Sequence, residues 1–390
     1  VFHLAIRYLT AGESHGKGVL VVLEGVPAQL FITKDDINLE LARRQGGYGR
    51  GGRMTIEKDQ VEILSGVRKG VTLGSPITLF VRNKDYENWE KIMSPDLDFK
   101  EKGNPLLRPR PGHADLPGGV KYNHRDLRNI LERASARETT VRVAAGAVAK
   151  VFLKKFNIHV FSHVLRLGKA SIAKAGKNYA ALQKKADGSP VRMIDPAAAK
   201  RAMALIDQAK MKGDTLGGIF EIIVTGVPMG LGSHVQWDRK LDGKIAQALM
   251  SMQAVKGVEI GNGFENATSL GSEVHDEIGY QKAKGFFHLT NHAGGIEGGM
   301  TNGEPILVRV AKKPISTLKT PLRSVNIETK EAVKAAYERS DTCALPAASV
   351  IGESICAWVI ADALLEKLGG DFMGEIEQRF KLYLKHVKSY

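Results

Sequence analysis

Cysteine is almost absent: 390 residues hold only Cys343 and Cys356. Two thiols with no Cys/His group beside them form neither a disulfide framework nor a zinc-ligand spacing. No metal site is expected, and a reducing, cytoplasmic setting is. Aromatic residues make up 6% of the chain, too few for the stacking platforms of a single-strand nucleic-acid binder. There is no Lys/Arg tail and no run of five like charges, so the sequence lacks the basic arm by which many proteins hold nucleic acid. Uninterrupted apolar stretches fall short of the ~18 residues that would mark a membrane span. The segment Val1 to Thr10 carries His3 and Arg7 without a long apolar core and does not read as a secretory signal.

What is present is an excess of positive charge. Lys and Arg number 56 against 42 Asp and Glu, a formal net charge of +14. Nucleic acid, an anionic membrane and anionic small molecules are the usual partners of such a chain. The distribution decides: many arginines sit beside Gly, Ser and His in short polar clusters, which favours a concave site for a small, multiply charged anion. A hydrophobic content of 43% is ample for a buried core. No linker-like stretch divides the chain, so residues 1–390 read as one domain, with Lys174–Ser189 as a polar surface loop or insertion.

The apolar patterning predicts an α+β fold. Strands are expected near Leu4–Leu9 and over Gly18–Glu24, Gln60–Ser65, Ile77–Arg82, Ile158–Leu167, Gly218–Gly226, Phe286–Asn291 and Ile306–Val310. Thr33-Lys34-Asp35-Asp36 marks a helix start with Thr33 as N-cap. Further helices are expected over Asp126–Arg133 and from Ser135, or as one continuous helix from Asp126, and over Pro196–Lys212, Leu241–Val255, Lys330–Glu338 and Gly352–Leu368. Ser135-Ala136-Arg137-Glu138 has the form of a capping box. Gly25-Val26-Pro27 and Gly226-Val227-Pro228 form a faint internal echo, as a duplicated half would leave.

Glycine is the second compositional signal, with 42 residues, and it clusters at loops where a backbone must turn sharply or approach a ligand. Gly12-Glu13-Ser14-His15-Gly16 places a Ser-His pair at a strand end, where a histidine serves as a general acid near neutral pH. Arg43, Arg44 and Arg53 flank the Gly-rich run 46–52 and Arg50 lies within it; guanidinium forks bind phosphate or carboxylate bidentately. Arg108-Pro109-Arg110-Pro111-Gly112-His113-Ala114-Asp115 presents a second histidine on a segment stiffened by two prolines. Ser135-Ala136-Arg137-Glu138 offers a helix N-terminus to an anion. Lys312-Lys313-Pro314-Ile315-Ser316-Thr317 and Arg339-Ser340-Asp341-Thr342-Cys343 have the look of anion-contact loops, although Asp341 beside Arg339 is most simply a surface ion pair. His124, His159, His163, His234 and His275 lack such a setting and are assigned to structure.

Taken together and in order, Gly12–Gly16, Arg133-Ala134-Ser135-Ala136-Arg137-Glu138-Thr139 and Arg339–Cys343 resemble the three signatures of the chorismate synthase family. Arg110–Asp115 and the Gly294–Gly303 loop are similar as well, so the resemblance covers nearly the whole chain. It implies a lyase of the shikimate pathway, which serves aromatic amino acid biosynthesis. The reaction is a 1,4-anti elimination of phosphate from 5-enolpyruvylshikimate 3-phosphate, with reduced FMN and no net redox change. It implies His15 as the acid that protonates the departing phosphate and His113 as the acid beside the flavin. Asp341, with Ser14 and Ser135, would handle the proton near flavin N5. Arg44, Arg50, Arg53, Arg137 and Arg339 match substrate-holding positions. FMN contacts would come from Arg110, Arg133, Ala134, Ser135, Gln253, Ala254, Gly298, Lys313, Pro314, Ile315, Ser316, Thr317 and Arg339. Ala134 stands where many members have Ser. The family fold, a β-α-β sandwich of antiparallel sheets flanking helices in a homotetramer, is implied too. Some members reduce their own flavin with NADPH and others rely on an external flavin reductase. Two competing classes are an FMN-dependent NAD(P)H oxidoreductase and, further off, a basic RNA-binding protein; nucleic-acid and membrane partners are not expected.

Overall fold

A computed structural model describes residues 5–51, 58–96, 105–173, 176 and 178–390. Strands β1 (Arg7–Gly12), β2 (Gly18–Glu24), β3 (Val61–Ser65) and β4 (Ile77–Arg82) form an antiparallel sheet in the order β1-β2-β4-β3. Helix α1 (Lys34–Gln45) lies between β2 and β3, and its Thr33 cap and Asp36 make the reciprocal pair expected from sequence. Helices α2 (Asp115–Tyr122), α3 (Arg128–Ala134) and α4 (Thr139–Lys154) follow. The second sheet contains β5 (His159–Leu167), β6 (Ala170–Ser171), β7 (Gly218–Thr225), β8 (Val255–Ile260) and β9 (Ile306–Lys312), ordered β8-β9-β7-β5-β6, again antiparallel. Helices α5 (Tyr179–Asp187), α6 (Pro196–Met211), α7 (Leu241–Met250), α8 (Leu345–Leu368) and α9 (Met373–Ser389) complete the elements used below.

Strand alternation sets which faces are buried. Ile77, Leu79 and Val81 of β4, and Ile306, Val308 and Val310 of β9, point inward at period two. Helices α1 and α4 pack on the first sheet, α8 packs on the second, and α4 and α8 pack on each other. Their close approach requires glycine: a Cβ at Gly146 would lie 2.5 Å from Ser354 Cα. One continuous cluster of buried apolar residues joins both sheets through these helices. Among the described residues, α8 is the one helix long and apolar enough to cross a membrane, and it is buried in this core.

At both Gly-Val-Pro segments the chain makes the same hydrogen-bonded clamp. Thr72 Oγ1 donates to Pro27 O (2.6 Å) and accepts from Leu30 N (2.9 Å). Thr301 Oγ1 donates to Pro228 O (2.7 Å) and accepts from Leu231 N (2.8 Å). Each threonine ends a two-residue hairpin, and each exchanges backbone bonds with the segment it clamps. Gln29, at φ +67°, occupies the left-handed position that Gly230 fills in the other copy.

Several expectations need correction. Residues 330–338 are not helical: Ala332–Lys334 pairs with Arg323–Val325 in a hairpin. The Asn326 side chain accepts from Glu328 N and Thr329 N, and Lys330 is left-handed, so local turn chemistry displaces the helix. The helix starting at Leu241 stops at Met250, because a left-handed Ala254 (φ +67°) turns the chain into β8. The first strand runs Arg7–Gly12, and the one expected over Phe286–Asn291 is Gly285–His288. Ser135 caps only the backbone N–H of Arg137 (3.3 Å), while Glu138 turns to Thr10, Arg142 and Gln253, so the box is half formed. The stretch 174–189 contains helix α5, whose Leu182 packs on Phe161 and Ile223 from the outer face of the second sheet.

Both cysteines are buried and free. Burial pushes the Cys356 thiol up to about 12 and raises that of Cys343. Since the thiolate is the reactive form, native protein at pH 8 is expected to leave both sulfurs unmodified by a chromogenic disulfide reagent until denaturant is added. Prompt labelling of folded protein would contradict this burial.

Candidate active site

The loop between β1 and β2 carries Ser14 and His15. Gly12 enters it at φ +101°, and a Cβ there would lie 2.3 Å from Gly18 O, so the tight exit from β1 demands glycine. Two buried residues hold the loop. Asn83 Nδ2 donates to Glu13 O (3.1 Å) and Gly16 O (2.7 Å). Glu132 O accepts from Ser14 N (3.1 Å), and the Glu132 carboxylate accepts from His15 N (2.8 Å). His15 Nδ1 lies 2.9 and 3.0 Å from the two carboxylate oxygens. Burial pushes the Glu132 carboxyl up, but the hydrogen bonds and charge of His15 outweigh it and hold it below the usual range. The His15 ring rests on Trp89, centroids 4.0 Å apart.

The arginines converge from α1, the loop after it, and the turn between α3 and α4. Asp59 Oδ1 accepts from Arg137 Nη1 (2.6 Å), and its Oδ2 lies 3.4 Å from Arg44 Nη1. Asn83 Oδ1 accepts from Arg137 Nε (2.8 Å), which ties that guanidinium to the loop of His15. Burial pulls Arg44 down to about 10 against the opposing charge of Asp59, so it stays cationic at neutral pH. Arg50 Nη1 donates to Asp341 Oδ2 (2.7 Å), and Gly51 N donates to Asp341 Oδ1 (2.7 Å). The expected partnership of Asp341 with Arg339 is therefore replaced by one with Arg50. Ser135 Oγ donates to Ser14 Oγ (3.2 Å).

The segment 110–115 forms the opposite wall. Asp115, fully buried at the start of α2, accepts from Arg110 Nε (2.8 Å) and Nη2 (3.0 Å), and its Oδ1 lies 2.6 Å from His113 Nδ1. Burial raises the Asp115 carboxyl, yet the hydrogen bonds from His113 and Arg110 prevail and hold it well below the usual carboxylate range. Arg110 Nη1 donates to Thr317 Oγ1 (2.9 Å), and Lys313 Nζ donates to Gly112 O. The first turns of α8 supply an apolar wall of Ala344, Ala347, Ala348 and Ile351.

These pieces enclose a cavity of about 760 Å³. Ser14, His15, Arg44, Arg50, Arg110, His113, Ala134, Ser135 and Arg137 line it, as do Gln253, Ala254, Lys313, Ile315, Ser316, Thr317, Arg339 and Asp341. Three of the sequence candidates stand apart from that lining. Arg133 donates to Thr10 O and Gly12 O on β1. Gly298 sits in the turn of the 296–301 hairpin, and Pro314 lies between two lining residues without joining them. Arg53 lies outside the described residues. Sequence reasoning missed Asp59, Asn83, Glu132, Trp89 and Lys312. Lys312 has a weak signal, since it opens the charged run Lys312–Thr317 at the end of β9; the other four belong to no Gly/Arg/His cluster and emerge only when the strands assemble.

A family model described as chorismate synthase matches residues 6–365. The chain is 58% identical to the chorismate synthase of Aquifex aeolicus (strain VF5), over 99% of each sequence. It is 55% identical to that of Moorella thermoacetica (strain ATCC 39073 / JCM 9320), over 98% of this chain and 99% of the relative. A crystal structure of chorismate synthase superposes with a TM-score of 0.81 at 49% identity and covers 99% of both chains. With a matched model over most of its length and relatives this similar from end to end, the chain belongs to the chorismate synthase family.

Proposed function

We propose that this cavity holds 5-enolpyruvylshikimate 3-phosphate beside reduced FMN and catalyses 1,4-anti elimination of phosphate to give chorismate. The chain is thereby a carbon–oxygen lyase of the shikimate pathway. The observation that carries the reading is the convergence of two carboxylate-backed histidines and several arginines on one cavity. Substrate brings a phosphate and two carboxylates, a concentration of negative charge that needs fixed cations in a site shielded from water. Arg44, Arg50, Arg137 and Arg339 supply them here, and Arg53 is assigned with them by resemblance.

The residues present fit a flavin. Gln253 Oε1 is buried without a hydrogen-bond partner on the cavity wall, an acceptor in want of a donor such as a ring N–H. The alanine wall of α8 suits a flat apolar ring, and Arg110, Lys313 and Thr317 would meet its polar edge and phosphate. Reduced FMN, when bound, supplies electron density that eases loss of phosphate and is recovered without net redox change. His15 donates a proton to the departing phosphate. His113, steadied by Asp115, moves a proton at its own ring as the charge beside it changes. Asp341, with the Ser14 and Ser135 hydroxyls, would handle the proton beside the flavin.

We read the chain as one domain folded as a β-α-β sandwich whose halves arose by duplication, the two threonine clamps being the support. Exposed Trp237 (77%), Phe264 (80%) and Leu270 (69%) suit faces covered in a cytoplasmic homotetramer.

Arg50→Ala is expected to raise KM about 10–100-fold, the worth of one charged hydrogen bond, with a smaller change in kcat. An unchanged KM would put Arg50 outside the substrate pocket. The reaction itself is tested anaerobically with chemically reduced FMN, following chorismate absorbance and phosphate release together. Equal, enzyme-dependent appearance of both establishes it. Substituting NADPH for the reductant separates self-reduction from dependence on an external flavin reductase. A folded, FMN-binding sample that yields no product would move an NAD(P)H oxidoreductase to first place.

A further inference from the structure

We propose that Glu132 is the positioning residue of His15: its carboxylate fixes the ring and engages Nδ1, so that His15 meets the ligand through Nε2 as an acid. The inference rests on the reading of His15 as proton donor given above. Glu132 lies in the last turn of α3, and its side chain is 2% exposed. The same carboxylate takes the His15 backbone N–H at 2.8 Å and faces Nδ1 at 2.9 and 3.0 Å. A two-point hold of this kind sets both the position of the residue and the rotation of its ring. A carboxylate facing Nδ1 also demands a proton there, which makes Nε2 the nitrogen that gives its proton to a ligand. The Trp89 ring packs against the imidazole at a tilt of 31° and restricts its rotation.

The charges around this pair come from several elements. Glu13 belongs to the loop of His15 itself. From α3, Arg128 Nη1 lies 3.4 Å from Glu132 and helps keep it ionised, while the guanidinium stands 5.1 Å from the Trp89 ring. Glu338 lies 3.7 Å from Arg128, and Asp85 accepts from Trp89 Nε1 (3.3 Å). Arg137 is joined to the loop through Asn83. The cavity is otherwise rich in arginine, which disfavours a second cation. Among the described residues, Glu132 is a carboxylate in contact with the ring, and it offsets that field at Nδ1.

The test uses the full chain with 15N-labelled histidine, and the His15 signal is assigned by its loss in His15→Ala. In Glu132→Gln, which keeps the shape and removes the charge, His15 is expected to titrate about one to three pH units lower than in the parent, the range for loss of a contacting opposite charge. Glu132→Asp should fall between the two, and it serves as the reading if Glu132→Gln does not fold. The alkaline limb of kcat/KM should move by the same interval, so that activity lost near pH 8 returns in acid. An unmoved His15 titration in a folded variant overturns the proposal. A moved titration with an unmoved rate profile upholds the hold on His15 but removes His15 as the catalytic acid, so the two readings fail separately.

Discussion

A Glu353→Ala protein is expected to be less stable than its parent by about 3–5 kcal/mol, the cost of stripping one partner from a buried ion cluster. Glu353 sits midway along α8 with a side chain wholly out of solvent. Its carboxylate accepts from Arg43 (2.7 and 3.0 Å), Lys150 (2.5 Å), Arg192 (3.0 Å) and Ser162 Oγ (2.7 Å). Glu40 and Asp187 share the same cations, but neither can replace the charge at the centre. Burial alone would raise the Glu353 carboxyl, yet the charges of Lys150, Arg43 and Arg192 outweigh it and hold it far below the usual range. A depressed carboxyl contributes stability that is fully present above its unfolded value of about 4.3 and is lost as pH falls toward the folded one. The parent should therefore keep this contribution at pH 5–8 and surrender it in strong acid. Urea midpoints of the two proteins at pH 7 and near pH 3 check both statements. A Glu353→Ala midpoint equal to the parent's at pH 7 would mean that water reaches these cations.

The second large effect is on turnover. His15→Ala and His113→Ala are each expected to lower kcat about 10²–10⁴-fold, the usual contribution of a positioned acid or base. Stability should change little, because both rings are partly exposed on the cavity wall and their carboxylate partners keep other cations, Arg128 for Glu132 and Arg110 for Asp115. Anaerobic initial rates at saturating substrate and FMN, beside melting curves, separate lost chemistry from lost fold. Near-normal turnover in either variant removes that residue from the mechanism.

The sequence exposed the elements whose signals are local. Thr33 and Asp36 announce α1 within four residues, and the alternation of Ile77, Leu79 and Val81 announces β4. The charged loops were legible for a related reason: an arginine or histidine between glycines has no packing motive. Residues that act through distant partners were not legible. Asp59 looks like any surface aspartate until β3 places it between Arg44 and Arg137. Asn83, one residue beyond β4, carries no sign that it will join the His15 loop to Arg137. Lys330–Glu338 misled because its helical composition was overruled by a side-chain turn at Asn326. Lys174–Ser189 read as loop because Leu182 has a buried face only once the second sheet stands beside it.

The threonine clamps fall one in each half of the chain, and so do the walls of the site. Ser14, His15, Arg44 and Arg137 come from one side, and Lys313, Arg339, Asp341 and the start of α8 from the other. During synthesis the first sheet, its clamp and the histidine loop exist well before residue 341 has been added. Helix α8, which follows residue 341 and walls the cavity, is also the helix on which α4 packs and to which Ala5 and Ile6 are tied through Asp362. A chain halted before it therefore lacks a finished core as well as a cavity, and completing the fold and completing the site are one event.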